Sequence, residues 1–257
     1  MWIKLVSKVK LNVQRALPLL YFGFNDMLVK VHESAINKFG IWNQSDNNEV
    51  SPSIVAITVS TGYDDLLELI LPKNQEYFEK WIIVTDKKDS ATKALISQFP
   101  NIDVISLRFK TLGRVFNKGL GVRKAQLHAY RNFPNSWYLL LDSDIILSDE
   151  FSYIVKHLDV LPKDALYGCN VRRDFSKLSE LRLGINFSEY FHGGEIHGYF
   201  QLYTKKYLYR DSIDASWCDL QFGKLFSTHT LMNEFHCDHL GMKGNWTGRK
   251  SRDFVFD

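Results

Sequence analysis

The sequence predicts an α/β fold, a Rossmann-type, mainly parallel sheet flanked by helices with an N-terminal helical extension. Three observations predict it. Apolar, β-branched runs at 54–59, 81–84 and 104–107, and a short apolar run at 138–141, alternate with segments of helical periodicity. The run Tyr138, Leu139, Leu140, Leu141 is apolar at every position, as an inner strand covered on both faces must be. A chain of 257 residues, 45% hydrophobic and 24% charged, is long enough to build one full core and is ordinary globular composition.

Residues 1–42 open the chain with Trp2, Leu5, Val9, Val13, Ala16 and Leu20 at helical spacing, and with Lys4, Lys8, Lys10 and Arg15 between them. Such a basic amphipathic helix either makes a peripheral contact with an anionic membrane or packs on its own domain. The apolar run 16–24 is too short to span a bilayer and contains Pro18. No A-x-A-type cleavage site follows it, so the start reads as neither signal peptide nor anchor. On that reading the sequons opening at Asn43, Asn186 and Asn245 are not glycosylation sites. Residues 43–52 form a polar, turn-rich linker.

After the linker the strand at 54–59 is followed by a helix at 64–71, and the strand at 81–84 by a helix at 90–98. The strand at 104–107 precedes a helix at 118–131, which leads into the strand at 138–141. Beyond Asp144 the alternation loosens. A strand is expected at 165–170, a polar irregular stretch at 172–191, a strand at 198–203, a helix at 217–226 and a basic tail at 240–252. The expected division is an extension and linker (1–52) and one domain (53–257). Within it a nucleotide-binding part (53–147) precedes an acceptor part (148–257).

Asp142 and Asp144 stand two residues apart, and residues i and i+2 of an extended chain project to the same side. Both can face the crevice at the carboxyl end of their strand, where open α/β sheets bind ligands. Hard oxygen donors there suit Mg²⁺ or Mn²⁺, and such an ion suits a diphosphate. Asp86 ends the preceding strand pattern; it can accept hydrogen bonds from a base or ribose, or cap the next helix, as Asp89 or Ser90 can. Lys118, Gly119, Gly121, Arg123 and Lys124 make a Gly-rich, basic helix start. That is either an anion site or a set of solvated helix positions. It matches neither GxGxxG nor a Walker A loop.

Asp219 lies within an aromatic and apolar stretch with Trp217, Leu220 and Phe222, a setting that raises a carboxylate's pKa and suits a general base. The alternative is a helix-start carboxylate stabilising the dipole. His236 and His239 lack a third and fourth zinc ligand at a convincing spacing, so a single imidazole joining Asp144 on a divalent ion is the economical reading. Arg249, Lys250 and Arg252 flank a flexible Gly248 and either close over a diphosphate or form an exposed basic terminus. The net charge of +3 is too small to draw nucleic acid. Cys169, Cys218 and Cys237 make no disulfide framework, so a reducing, cytoplasmic setting is expected.

Taken together, these residues resemble the GT-A class of nucleotide-sugar-dependent glycosyltransferases, and most nearly the small glycosyltransferase-like proteins of bacteria, phages and large viruses. The resemblance covers about residues 53–252. Its carriers are Leu71-Pro72-Lys73-Asn74, Ile83-Val84-Thr85-Asp86, Phe116-Asn117-Lys118-Gly119, the stretch 137–144, Gly198-Tyr199-Phe200-Gln201-Leu202, Trp217-Cys218-Asp219, and His239-Leu240-Gly241 with 245–249.

The resemblance implies that Asp86 binds the base and that Asp142 faces the ribose or the metal. It implies that Asp144 holds the metal with His239, and that Asp219 is the base of an inverting transfer. Cys218-Asp219 stands where many members have Glu-Asp. The implied reaction moves a sugar from a nucleoside diphosphate sugar to a glycan, lipid-linked or protein acceptor. A Mn²⁺ or Mg²⁺ ion and the cations Lys118, Arg123 and Arg249 would face the leaving diphosphate.

Two other readings compete with this one. A nucleotidyltransferase that makes a nucleotide sugar usually carries a Gly-rich basic loop after its first strand, where this chain has Gly62, Tyr63, Asp64 and Asp65. A non-catalytic carbohydrate-binding relative would keep the sheet without turnover.

Overall fold

The computed structural model describes residues 52–110, 115–212, 214, 215, 217–241, 249 and 253–257. The expected N-terminal helices and most of the basic tail lie outside the described residues. Among those described, no helix is long and apolar enough to cross a membrane.

The first half follows the predicted alternation: β1 (Ile54–Val59), α1 (Asp64–Asn74), β2 (Lys80–Asp86), α2 (Ser90–Ile96), β3 (Ile102–Leu107), α3 (Lys118–Asn132) and β4 (Trp137–Leu141). β1 pairs in parallel with β2 and β4, and β2 with β3. Each inner strand buries both faces. Ile54, Ala56, Trp81, Ile83, Leu139 and Leu141 join Leu67, Ile70 and Leu71 of α1 in one core layer. Val55, Ile57, Ile82, Val84, Tyr138 and Leu140 face Val122, Ala125 and Ala129 of α3 in the other. That two-sided burial is why these strands read as unbroken apolar runs. At about 25 cal/mol per Å² of apolar surface it is the main stabiliser of this half.

The second half has the strands and the helix expected near 165–170, 198–203 and 217–226, and departs from expectation elsewhere. β5 (Ile145–Leu147) and α4 (Phe151–Lys156) precede β6 (Ala165–Phe175), which continues into the start of the stretch expected to be irregular. α5 (Leu178–Leu183) and the exposed β7 (Ser188–Phe191) follow. Then come β8 (Phe200–Tyr203), the short α6 (Cys218–Gly223) and β9 (Thr228–Leu240), a long strand with no counterpart in the sequence reading. β8 joins β4 antiparallel and β9 runs parallel to β6. The described sheet therefore runs β3-β2-β1-β4-β8-β6-β9-β5, with β7 on β6. Trp217, one of the residues expected to give Asp219 its apolar setting, is 72% exposed, and Phe222 is the buried aromatic of α6.

Candidate functional site

Parallel pairing of β1, β2 and β4 brings their carboxyl ends to one rim. The Asp142-Ser143-Asp144 segment leaves β4 there and crosses to β5, whose partner is β9. Its backbone is fixed on both sides. Asp142 N–H donates to the Tyr199 carbonyl at 3.1 Å, and Leu240 N–H donates to the Asp144 carbonyl at 2.8 Å. Asn74, fully buried at the end of α1, clamps β5 by donating to the Ile145 carbonyl at 2.9 Å and accepting from Leu147 N–H at 3.0 Å.

Asp144 meets His239 at the end of β9. His239 Nε2 lies 3.6 Å from Asp144 Oδ2, and its Nδ1 lies 3.2 Å from Asp174 Oδ1. Asp174, on β6, is itself held by Arg172 through Nε at 2.8 Å and Nη2 at 3.2 Å. Burial opposes the charge of His239, but the two carboxylates outweigh it and push its pKa up to about 10. For Asp144 burial acts to raise the pKa, yet the facing imidazole holds it below the usual carboxylate range.

Asp142 turns instead to Lys118, the first residue of α3. Lys118 Nζ lies 2.8 Å from Asp142 Oδ1 and 3.4 Å from Asp219 Oδ2, with only 12% of its side chain exposed. Burial pushes Asp142 up, Lys118 pulls it back, and neighbouring Asp144 and Asp219 push it up again, to about 6. Lys118 is held well above the usual lysine range: burial opposes its charge, but Asp142 and Asp219 outweigh burial.

Asp219 sits at the start of α6 against the chain entering β8. A Cβ on Gly198 would fall 1.8 Å from Asp219 Oδ2, so only glycine lets the carboxylate lie there. Its Oδ1 accepts from the buried Tyr209 hydroxyl at 3.0 Å. A similar constraint governs the start of α3. A Cβ on Gly119 would meet the Arg210 carbonyl oxygen at 2.0 Å. Asn117 caps the helix by accepting from Leu120 N–H at 2.9 Å, and Gly119 N–H donates to Ser212 Oγ at 3.1 Å. The glycines of this start, which the sequence leaves as an anion site or a solvated helix start, are close-packed, and the protein's own side chains meet two of its N–H groups.

Asp86 is not the cap of α2. Asp89 is: it accepts from Thr92 N–H at 3.1 Å and Thr92 Oγ1 at 2.7 Å, and also from Gly62 N–H and Thr85 Oγ1. Asp86, at the carboxyl end of β2, accepts from Lys88 N–H at 2.9 Å and Phe109 N–H at 3.2 Å. Beside it on the rim, the hydroxyls of Ser60 and Thr61 are buried without a hydrogen-bond partner among the described residues. Arg123, half exposed, faces Asp211 at 3.8 Å. Arg249 is engaged by Asp65 and the Gly62 carbonyl and stacks over Tyr63 at 4.7 Å.

The site therefore brings together Asp142, Asp144, Lys118, Asp219 and His239, with Asp86 on the same rim, while Arg123 and Arg249 have protein partners of their own. Sequence reasoning missed Asp174, Asn74, Tyr209 and Gln201. Asn74 and Gln201 were visible as parts of carriers of the resemblance, Gln201 in an expected strand; Asp174 lies in a stretch whose polarity hid its strand, and Tyr209 in one for which no element was expected.

Among the described residues no cluster of three or more His, Cys, Asp or Glu side chains makes a metal cage. A two-donor site is compatible with the geometry. Donors about 2.1 Å from a shared ion lie within about 4.2 Å of each other, and Mg²⁺-type ions often take one or two carboxylates and complete their shell with phosphates and water. Asp144 and His239 meet that distance, and Asp174 on Nδ1 orients the ring as a metal-binding histidine requires.

No family model matches the chain, and no curated protein matches it. Among solved structures it is similar to the mannosyltransferase PcManGT from Pyrobaculum calidifontis, in complex with GDP-Man and Mn²⁺. The TM-score is 0.52 at 12% identity, over 87% of this chain and 67% of that one. It is also similar to a 4-diphosphocytidyl-2C-methyl-D-erythritol synthase from Anaerococcus prevotii (TM-score 0.43, 14% identity, 79% and 93% of the two chains). HddC from Yersinia pseudotuberculosis follows (0.42, 14%, 73% and 93%). The first likeness identifies the fold as GT-A-like; the two weaker ones add nothing to it.

Proposed function

We propose that this GT-A-like protein is a metal-dependent glycosyltransferase that moves a sugar from a nucleoside diphosphate sugar to an acceptor hydroxyl with inversion. One observation carries the reading: the Asp142–Asp144 segment at the carboxyl end of β4 meets His239 on one side and, through Lys118, Asp219 on the other. Asp144 and His239 hold the divalent ion, with Asp142 toward the ion or the ribose. A bound Mn²⁺ or Mg²⁺ supplies charge neutralisation of the leaving diphosphate.

Asp86 reads the base or ribose, and the unpartnered hydroxyls of Ser60 and Thr61 beside it support a polar ligand on that rim. Lys118 is the cation set among the site's carboxylates. Asp219, apart from the metal pair, takes the acceptor's proton.

The test is a thermal-shift panel of UDP- and GDP-sugars with and without Mn²⁺. A true donor at 100 times its Kd raises stability by about 2.7 kcal/mol. The reading expects Mn²⁺-dependent stabilisation by one nucleotide sugar. Stabilisation by a nucleoside triphosphate alone, with none by any nucleotide sugar, would favour nucleotidyl transfer instead.

A further inference from the structure

Asp219 is backed by a pair of buried groups that the roles above do not use. The Tyr209 hydroxyl lies 2.6 Å from Gln201 Oε1 and 3.0 Å from Asp219 Oδ1. Both are acceptors, and a phenol has one proton to give. The amide cannot be turned over to relieve this. Gln201 Nε2 already donates to the Asp219 backbone carbonyl at 3.3 Å, and a flip would set two carbonyl oxygens together. The phenol ring is fixed too, against Phe222 at 4.4 Å and by Tyr209 N–H donating to Gln126 Oε1 at 2.8 Å. Only the hydroxyl proton is free to turn.

Its two positions match the two states of a base. With Asp219 ionised, Tyr209 donates to Oδ1, a charge-assisted bond, and Gln201 Oε1 goes without. With Asp219 protonated on Oδ1, the carboxyl donates to Tyr209 Oη and Tyr209 turns its proton to Gln201, so every group is satisfied. Resting on the reading of Asp219 as the base, we propose that the Tyr209 hydroxyl is a rotor serving both protonation states, with Tyr209 and Gln201 as positioning residues for proton transfer. In that transfer the acceptor O–H bond breaks and its proton passes to Asp219. The acceptor oxygen bonds the anomeric carbon, and the diphosphate leaves with the electron pair of the bond it loses.

Other groups face the same carboxylate. Lys118 Nζ lies 3.4 Å from Oδ2 with Asp142 on the far side of the ammonium, and the Cys218 thiol lies 3.6 Å from Oδ1. His197, from the loop entering β8, acts on it electrostatically. Gln201 meets Asp219 at its backbone carbonyl and reaches the carboxylate through Tyr209. A double-substitution cycle therefore isolates the rotor.

The measurement is a carbon-13 NMR titration of protein labelled at its aspartate side-chain carboxyls, with the Asp219 signal assigned by its loss in Asp219→Asn. Gln201→Leu, or Gln201→Met if the first variant does not fold, is expected to lower the Asp219 midpoint by about one pH unit, the worth of one hydrogen bond. In the Tyr209→Phe protein the same substitution is expected to shift it by nothing. No shift from Gln201→Leu, a rise, or equal shifts in the two backgrounds would overturn the rotor. Failure of the base assignment shows separately, as unimpaired nucleotide-sugar turnover by Asp219→Asn.

Discussion

Replacing Lys118 by methionine removes the ammonium between Asp142 and Asp219 while keeping an unbranched chain of similar length. Breaking a fully buried pair costs about 3–5 kcal/mol, because the remaining charge is left unpaired. Asp142 retains 35% of its side-chain surface, so solvent screening reduces the expected loss to about 2–3 kcal/mol at pH 8.

The pH dependence has a definite sign. Asp142 is already raised to about 6 by burial despite Lys118, and without the lysine it rises further. A carboxyl with a folded pKa above its unfolded value destabilises the fold as pH climbs from the unfolded value through the folded one. Below that window both states carry the proton and the penalty vanishes. The deficit of Lys118→Met is therefore largest at pH 8 and shrinks toward pH 5. Urea unfolding of both proteins at the two pH values reads it directly. An equal deficit at both, or none at pH 8, would refute the reasoning.

Asp144→Asn should remove Mn²⁺-dependent nucleotide binding in calorimetry, and unchanged affinity would exclude Asp144 from the metal. Asp86→Ala should weaken nucleoside diphosphate binding about tenfold to a hundredfold even without metal, from one lost charge-assisted hydrogen bond. It should also lose about 1–3 kcal/mol of stability, since the Lys88 and Phe109 N–H groups lose their acceptor. Asp89→Ala should cost about 1–2 kcal/mol near neutrality by uncapping α2, measured by denaturant. Burial alone would raise the Asp89 pKa, but its bonds to Gly62, Thr92 and Thr85 hold it low. That contribution is present above the unfolded carboxylate pKa of about 3.9 and fades as pH falls through the folded value. A cost of the same size in acid would contradict it.

β1, β2 and β4 were legible because burial on both faces leaves an unbroken apolar signature, and α3 because its helical periodicity follows a turn-like, Gly-rich start. β9 was not. Its burial pattern mixes exposed Thr228, His229 and Thr230 with buried Met232, Phe235 and Cys237, so neither period stands out. β6 was cut short at Asn170 because Arg172, Arg173 and Asp174 look like loop residues; they are tolerated in a strand because they pair with one another, with β7 and with His239. The Asp142–Asp144 pair, His239 and Asp219 were singled out by residue type together with the resemblance, and the structure places them near one another. That Asp142 faces Lys118 and that Asp174 orients His239 depends on strand register, which one sequence does not carry. The left-handed backbone of Trp217 turns its indole outward, and an aromatic next to an acid gave no sign of that.

The most direct test of the account is the fate of a nucleotide sugar in the presence of Mn²⁺ and acceptor, followed by NMR at the anomeric proton. The account predicts release of the nucleoside diphosphate and a product of opposite anomeric configuration. It also predicts a loss of about 10²–10⁴-fold in turnover for Asp219→Asn, with donor binding intact. A product that keeps the donor's configuration, or near wild-type turnover by Asp219→Asn, would contradict it.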